Sequence, residues 1–201
     1  MNTTKKIREK IENLPKGQPV TTREFLQFGP RASVDQALSR FVKAGVLSRP
    51  VRGVYLRPKI NPYVGEVPPE PIKVAKAIAK NEGAVVQVHG AEALRQMGLS
   101  TQAPVKPIFY TSGNSRKFSI GNLEVIMKKV SQRKLALAGQ RAGVALTALW
   151  SLGKERVTVA TIEKIRDRLS PREFESLRST TSMPGWMNEK FLIYEKGLNN
   201  G

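Results

Sequence analysis

Chemistry in this chain would have to come from a narrow set of side chains. Among 201 residues there is one histidine, His89, no cysteine, and two aspartates, Asp35 and Asp167. A two-histidine metal site cannot be built from one imidazole, and no thiolate replaces the second ligand. Metal-dependent phosphoryl transfer needs two or three convergent carboxylates, yet the stretch from Pro104 to Val130 holds only Glu124. No GxxxxGK[ST] loop, GxGxxG turn or Gly-x-Ser-x-Gly elbow occurs. His89 stands in QVHGAEAL at a strand-to-helix join, where a lone histidine serves as a polar contact at an element end. The sequence therefore points to a non-enzyme and assigns no catalytic residue, no metal and no cofactor.

Cationic and amide side chains are the more promising set. In Thr21–Arg57, TTREFLQFGPRASVDQALSRFVKAGVLSRPVRGVYLR, apolar residues recur at Val34, Ala37, Leu38, Phe41 and Val42. That three- and four-residue spacing is one buried helix face. It turns Ser33, Gln36, Arg40 and Lys43 outward, with Arg31 at the helix start. Such donors suit phosphates and base edges, and a helix fits the major groove of B-DNA. Arg49 and Arg52 flank a turn between two short strands, where a wing meets backbone or minor groove. The competing reading is a set of solvated charges on a small helical domain.

The elements that must position these groups follow from punctuation. Thr21 or Thr22, supported by Glu24, caps a first helix, and Gly29-Pro30 stops it. The second helix spans about Ala32 to Lys43, with Gly45 behind it. Val46-Leu47 and Val54–Leu56 then read as strands. With an amphipathic helix over residues 3–14 (Ile7, Ile11 and Leu14 inward), this predicts a winged helix-turn-helix over residues 1–60.

Charge and length bound the rest. The formal net charge is +18, with +9 in residues 1–62 and +9 in the remaining 139. Charge density in the first third is thus about double, which favours a polyanionic partner. No apolar run approaches a membrane span, and MNTTKKIREK lacks the apolar region of a signal peptide. The expectation is a soluble cytoplasmic protein with no membrane partner.

Prolines at 58, 62, 68, 69 and 71 mark residues 61–71 as an extended linker. Residues 72–201 follow as a second, α+β domain. It opens with a helix at 72–82, a β run at 84–88 and a helix at 90–97. Three strands at 107–111, 117–120 and 123–130 read as a meander, with Gly121-Asn122 as a turn signal. Helices follow at 143–152, 159–169, 170–178 and 184–194. The fold class is α+β: a winged helix-turn-helix, then a mixed domain with a small antiparallel sheet and a C-terminal helical group. A second basic stretch holds Arg116, Lys117, Lys128, Lys129, Arg133, Lys134 and Arg141. Its options are a patch for nucleic acid or an acidic partner, or a solvated edge whose lysines discourage strand addition. An RNA-binding accessory, or a nucleic-acid enzyme using this patch, is the alternative function.

The wing VLSRPVRGVYLRP, the segment VHGAEALRQMGLSTQAP, and the later IFYTSGNSRKFSIGNLEVIMKK and ALTALWSLGKERVT resemble the AbiEi-type antitoxins of bacterial type IV toxin–antitoxin systems. The resemblance runs from about Thr4 to Trp186. It implies two jobs: repression of the chain's own operon by binding promoter repeats in double-stranded DNA, and neutralisation of a cognate nucleotidyltransferase-like toxin, directly or through a shared target. Carried onto this sequence, the DNA contacts are Arg31, Ser33, Gln36, Arg40, Lys43, Arg49 and Arg52. Arg116, Lys117, Lys128, Lys129, Arg133 and Lys134 become the candidate antitoxin or nucleic-acid surface.

Overall fold

The computed structural model describes residues 3–199. Met1, Asn2, Asn200 and Gly201, the outermost residues of the two expected domains, lie outside them. The chain is mixed α+β and divides into two compact units. One holds the chain through Ala84 together with Arg116–Ile126; the other holds Val85–Ser115 and the chain from Met127 onward. These units do not follow the expected boundaries at 60 and 71.

In the first unit, α1 (Thr3–Glu12) buries Ile7 and Ile11. Then β1 (Val20–Thr21) leads into a 3₁₀ helix, Thr22–Phe28, where the sequence predicted the first helix. Thr21 still marks the start: its N–H donates to Glu24 Oε1 at 3.2 Å. α2 (Arg31–Lys43) buries Val34, Ala37, Leu38 and Phe41, as the spacing predicted, whereas Val42, expected on the same face, is only partly buried. These side chains join Ile7, Ile11, Phe25, Leu47 and Tyr55 in one core.

Strands β2 (Ser48–Val51) and β3 (Val54–Leu56) follow, and β3 is central in a sheet ordered β1-β3-β2. Val20 faces Tyr55 in antiparallel register, and Val51 faces Val54. Only Arg52-Gly53 turns that corner, and Gly53 supplies the φ of +81° that a side chain resists. The expected linker is not simply extended. β4 (Ile60–Asn61) and β5 (Gly65–Glu66) pair antiparallel across its proline-containing start. Asn61 Oδ1 accepts from the N–H groups of Tyr63 and Val64 at 2.8 and 3.3 Å, an Asx turn that folds the chain back. α3 (Pro71–Asn81) begins on Pro71, tolerated in a first turn.

The later sheet differs from the predicted meander. Its strands are β6 (Val86–Val88), β7 (Ile108–Thr111), β8 (Arg116–Ile120) and β9 (Leu123–Lys129), in the order β6-β7-β9-β8. The sequence-adjacent β7 and β8 are not neighbours. Val86–Val88 takes the edge beside β7, with Val88 opposite Phe109 in antiparallel register. Turn signals locate strand ends, whereas order is set by which faces become buried.

Besides β6, β7 and the end of β9, the second unit is helical: α4 (Gly90–Gln96), α5 (Arg141–Leu152), α6 (Val159–Arg166), α7 (Pro171–Arg178) and α8 (Gly185–Asn199). α5 is its centre, with Ala142, Ala145, Leu146, Ala148 and Leu149 wholly buried. Small residues permit the close packing. A Cβ on Gly90 would meet the side chain of Ser151, and one on Gly143 would meet the Leu137 carbonyl. Thr158 caps α6 and Ser170 caps α7, each accepting from the N–H three residues on at 3.3 Å.

Candidate nucleic-acid interface

All seven residues of the predicted DNA-contact set, Arg31, Ser33, Gln36, Arg40, Lys43, Arg49 and Arg52, are exposed. The reason is local. Burying Val34, Ala37, Leu38 and Phe41 uses one side of α2, and a 3.6-residue period sends the intervening residues outward.

The exposed side of α2 carries two stripes. Arg31, Asp35, Ser39 and Val42 run along the edge that faces the β2–β3 turn. With Thr22, Arg49, Arg52, Gly53 and Tyr55 they line a hollow of about 290 Å³. Three arginines separated by up to 21 positions in the chain thus surround one concavity. Ser33, Gln36, Arg40 and Lys43 form the other stripe, outside the hollow. Asp35, Ser39 and Thr22 are lining residues that the sequence did not assign. Their signal was present: 31, 35 and 39 stand one helical turn apart.

Not every cation here is equally available. Arg31 Nε donates to Asp35 Oδ2 at 2.8 Å, with both side chains about half or more exposed. An exposed i,i+4 pair of this kind contributes little stability, but it occupies the Arg31 guanidinium. The Arg49 guanidinium lies 5.9 Å from the Tyr55 ring centroid, which restrains the arginine without consuming its donors. No ion-pair partner is present for Arg40, Lys43, Arg49 or Arg52 among the described residues.

The first unit carries a second cationic concavity. The Pro15–Val20 loop and α3 enclose about 530 Å³, lined by Lys16, Lys73, Lys76 and Lys80 with Glu24 as the only carboxylate. The spacing of 73, 76 and 80 gives a helical stripe, but the loop opposite it is more than fifty residues away in sequence.

The second basic stretch does not present itself as one row of free charges. Arg116 is ion-paired with Glu82, and Lys117 Nζ lies 3.9 Å from Glu124. Arg133 donates to the carbonyls of Ser182 and Met183, both at 2.9 Å. Arg133 and Lys134 also stand 5.9 and 5.5 Å from the Trp150 ring centroid. Arg141 donates to the Arg168 carbonyl at 2.8 Å. Only Lys128 and Lys129, at the end of β9, are exposed without such engagement.

His89 is the N-cap of α4, its Nδ1 accepting from the Ala91 N–H at 3.4 Å. The ring lies 4.9 Å from Tyr110. Burial, and then the Lys128 cation, push its pKa below the ordinary 6.5. The neutral imidazole that results is the form able to accept at Nδ1. Among the described residues no three His, Asp or Glu side chains come together where they could hold a metal ion, and no helix is long and apolar enough to cross a membrane.

These features define a mixed α+β protein with small antiparallel sheets and a cationic face on its first unit. The chain belongs to a family of unknown function, DUF6088, whose family model matches residues 6–177. A comparison with curated proteins found no match. Among solved structures the chain is similar to the RV2827C protein from Mycobacterium tuberculosis. That likeness covers 93% of this chain and 74% of that one, at 16% identity and a TM-score of 0.44.

Proposed function

We propose that the first unit is a winged helix-turn-helix that binds duplex DNA, with α2 in the major groove and the β2–β3 turn as the wing. In this reading the chain represses its own operon. The observation that carries it is the convergence of Arg31, Arg49 and Arg52 on one hollow between α2 and that turn. Phosphates are the ligand best suited to three guanidinium groups around one concavity. Gln36 and Ser33 on the neighbouring stripe suit base edges.

The charge sets a measurable scale. If Arg40, Lys43, Arg49 and Arg52 each meet one phosphate while Arg31 stays paired with Asp35, the log–log salt slope is about −3.6, and affinity falls roughly 150-fold between 50 and 200 mM salt. Fluorescence anisotropy with duplex from upstream of the chain's own gene tests this. Arg49→Ala with Arg52→Ala is expected to flatten the slope by about 1.8. An unchanged slope would remove the wing from the interface.

The antitoxin role rests on the resemblance given above. It assigns the second unit to opposing a nucleotidyltransferase-like toxin, directly or through a shared target. Co-expression with the adjacent gene tests it: growth is rescued if the neighbour is that toxin, and the role fails if a toxic neighbour is not counteracted. The RNA-binding or enzymatic alternative through residues 116–141 has weaker physical support, because most cations there already bond to protein groups.

A further inference from the structure

α8 has an apolar face that, among the described residues of its unit, stays open. Its inner side buries Met187, Phe191 and Tyr194. Phe174 stands 5.9 and 6.2 Å from the Phe191 and Tyr194 rings, and Arg166 donates to the Tyr194 hydroxyl at 2.8 Å. That side is therefore fully used. On the opposite side Leu192 and Ile193 are 53% and 55% exposed. Glu189 and Lys196, also exposed, bracket them along the same stripe. Neither has an ion-pair partner among the described residues.

The charges choose the occupant. Glu189 and Lys196 stand equally far from the midpoint between Leu192 and Ile193, and two helical turns from each other. We propose that this face of α8 is an antiparallel, two-fold interface between two copies of this chain. With the axis passing between 192 and 193, Glu189 meets the partner's Lys196, and Lys196 meets the partner's Glu189. Leu192 meets the partner's Ile193 at the centre. A parallel pairing in register would set like charges together, so the pattern rejects it. Two-fold contacts of this self-complementary kind are the commonest route to homodimers.

A socket supports the same register. Arg178, Asn188, Phe191, Leu192 and Glu195 line a hollow of about 180 Å³ beside Leu192. In the antiparallel register the side chain that approaches it is the partner's Ile193. Arg178 and Glu195 are paired with each other at its rim, so they neither demand nor compete for the incoming charge. Two helix faces of this length bury less than the ~1,200–2,000 Å² of a standard stable interface. The dimer is accordingly weak and concentration-dependent, and it forms without DNA.

Sedimentation velocity on the full chain tests this, from ~5 to ~500 μM without nucleic acid, the range where an interface of this class populates both states. Wild-type protein is expected to shift from monomer to dimer across it. Glu189→Lys or Lys196→Glu alone turns two attractive contacts into two repulsive ones and should weaken association by about tenfold or more. The double variant Glu189→Lys/Lys196→Glu restores complementarity and should return to within about threefold of wild type. Leu192→Asp should leave monomer throughout. Circular dichroism identifies any variant that fails to fold, and the charge-swap pair keeps the test decisive because its composition is unchanged. Wild-type monomer over the whole range, a dimer indifferent to the single reversals, or no rescue in the double variant would each overturn the proposal.

Discussion

Asp35 offers the sharpest test of the DNA-binding face, because it is the one carboxylate lining the hollow that three arginines share. It holds Arg31 Nε at 2.8 Å. Asp35→Asn removes the charge with little change of shape and releases the Arg31 guanidinium. One added phosphate contact steepens the salt slope by about 0.9, equivalent at 100 mM salt to about eightfold in affinity. Removing a carboxylate that stands ~8 Å from a phosphate also relieves ~0.5 kcal/mol of repulsion in water, about twofold. Against this, the exposed ion pair is worth up to ~1 kcal/mol, but its loss lowers the stability of free and bound protein alike. The expected outcome is three- to tenfold tighter binding, roughly, with a slope steeper by about 0.9. Anisotropy titrations at four salt concentrations measure both. In an Arg31→Ala background the gain should shrink to about twofold, the repulsive part alone. Equal gains with and without Arg31 would refute the release mechanism. Weaker binding would show instead that the carboxylate itself accepts from a cytosine amino group.

His89→Asn keeps an N-cap acceptor but removes the titration. In the wild type the lowered pKa means stability is full above about pH 6.5 and falls as pH drops through it, since the unfolded chain takes up the proton first. Urea midpoints at about pH 7.5 and about pH 5 should therefore differ less in the variant. Gly143→Ala drives a methyl into the Leu137 carbonyl and should cost about 1–3 kcal/mol in chemical unfolding. Arg133→Ala gives up two charge-assisted hydrogen bonds to main-chain carbonyls and the Trp150 stacking. Because the side chain is exposed, a loss of about 1 kcal/mol is expected. Its DNA affinity should stay at the wild-type level, whereas a large loss of RNA affinity would favour the alternative function.

The sequence by itself determined much of the local structure. The 34-37-38-41 spacing decided which side of α2 is buried, and therefore that Arg31, Ser33, Gln36, Arg40 and Lys43 are exposed. Ser170-Pro171 marked a helix start because capping satisfies orphan N–H groups whatever the surroundings. Propensity was less decisive at Thr22–Phe28, where the expected helix takes a 3₁₀ form. Only the tertiary structure decided what became of the charges. Along the chain Arg116 and Arg133 look as free as Arg49, yet Glu82 and the Ser182 and Met183 carbonyls, 34 and about 50 residues away, take up the first two. The strand order β6-β7-β9-β8, the lysine-lined cleft and the shared hollow of Arg31, Arg49 and Arg52 arise in the same way. Periodicity and capping are set by neighbours within one or two turns, whereas the partner of a long cationic side chain depends on which distant segments packing brings alongside it.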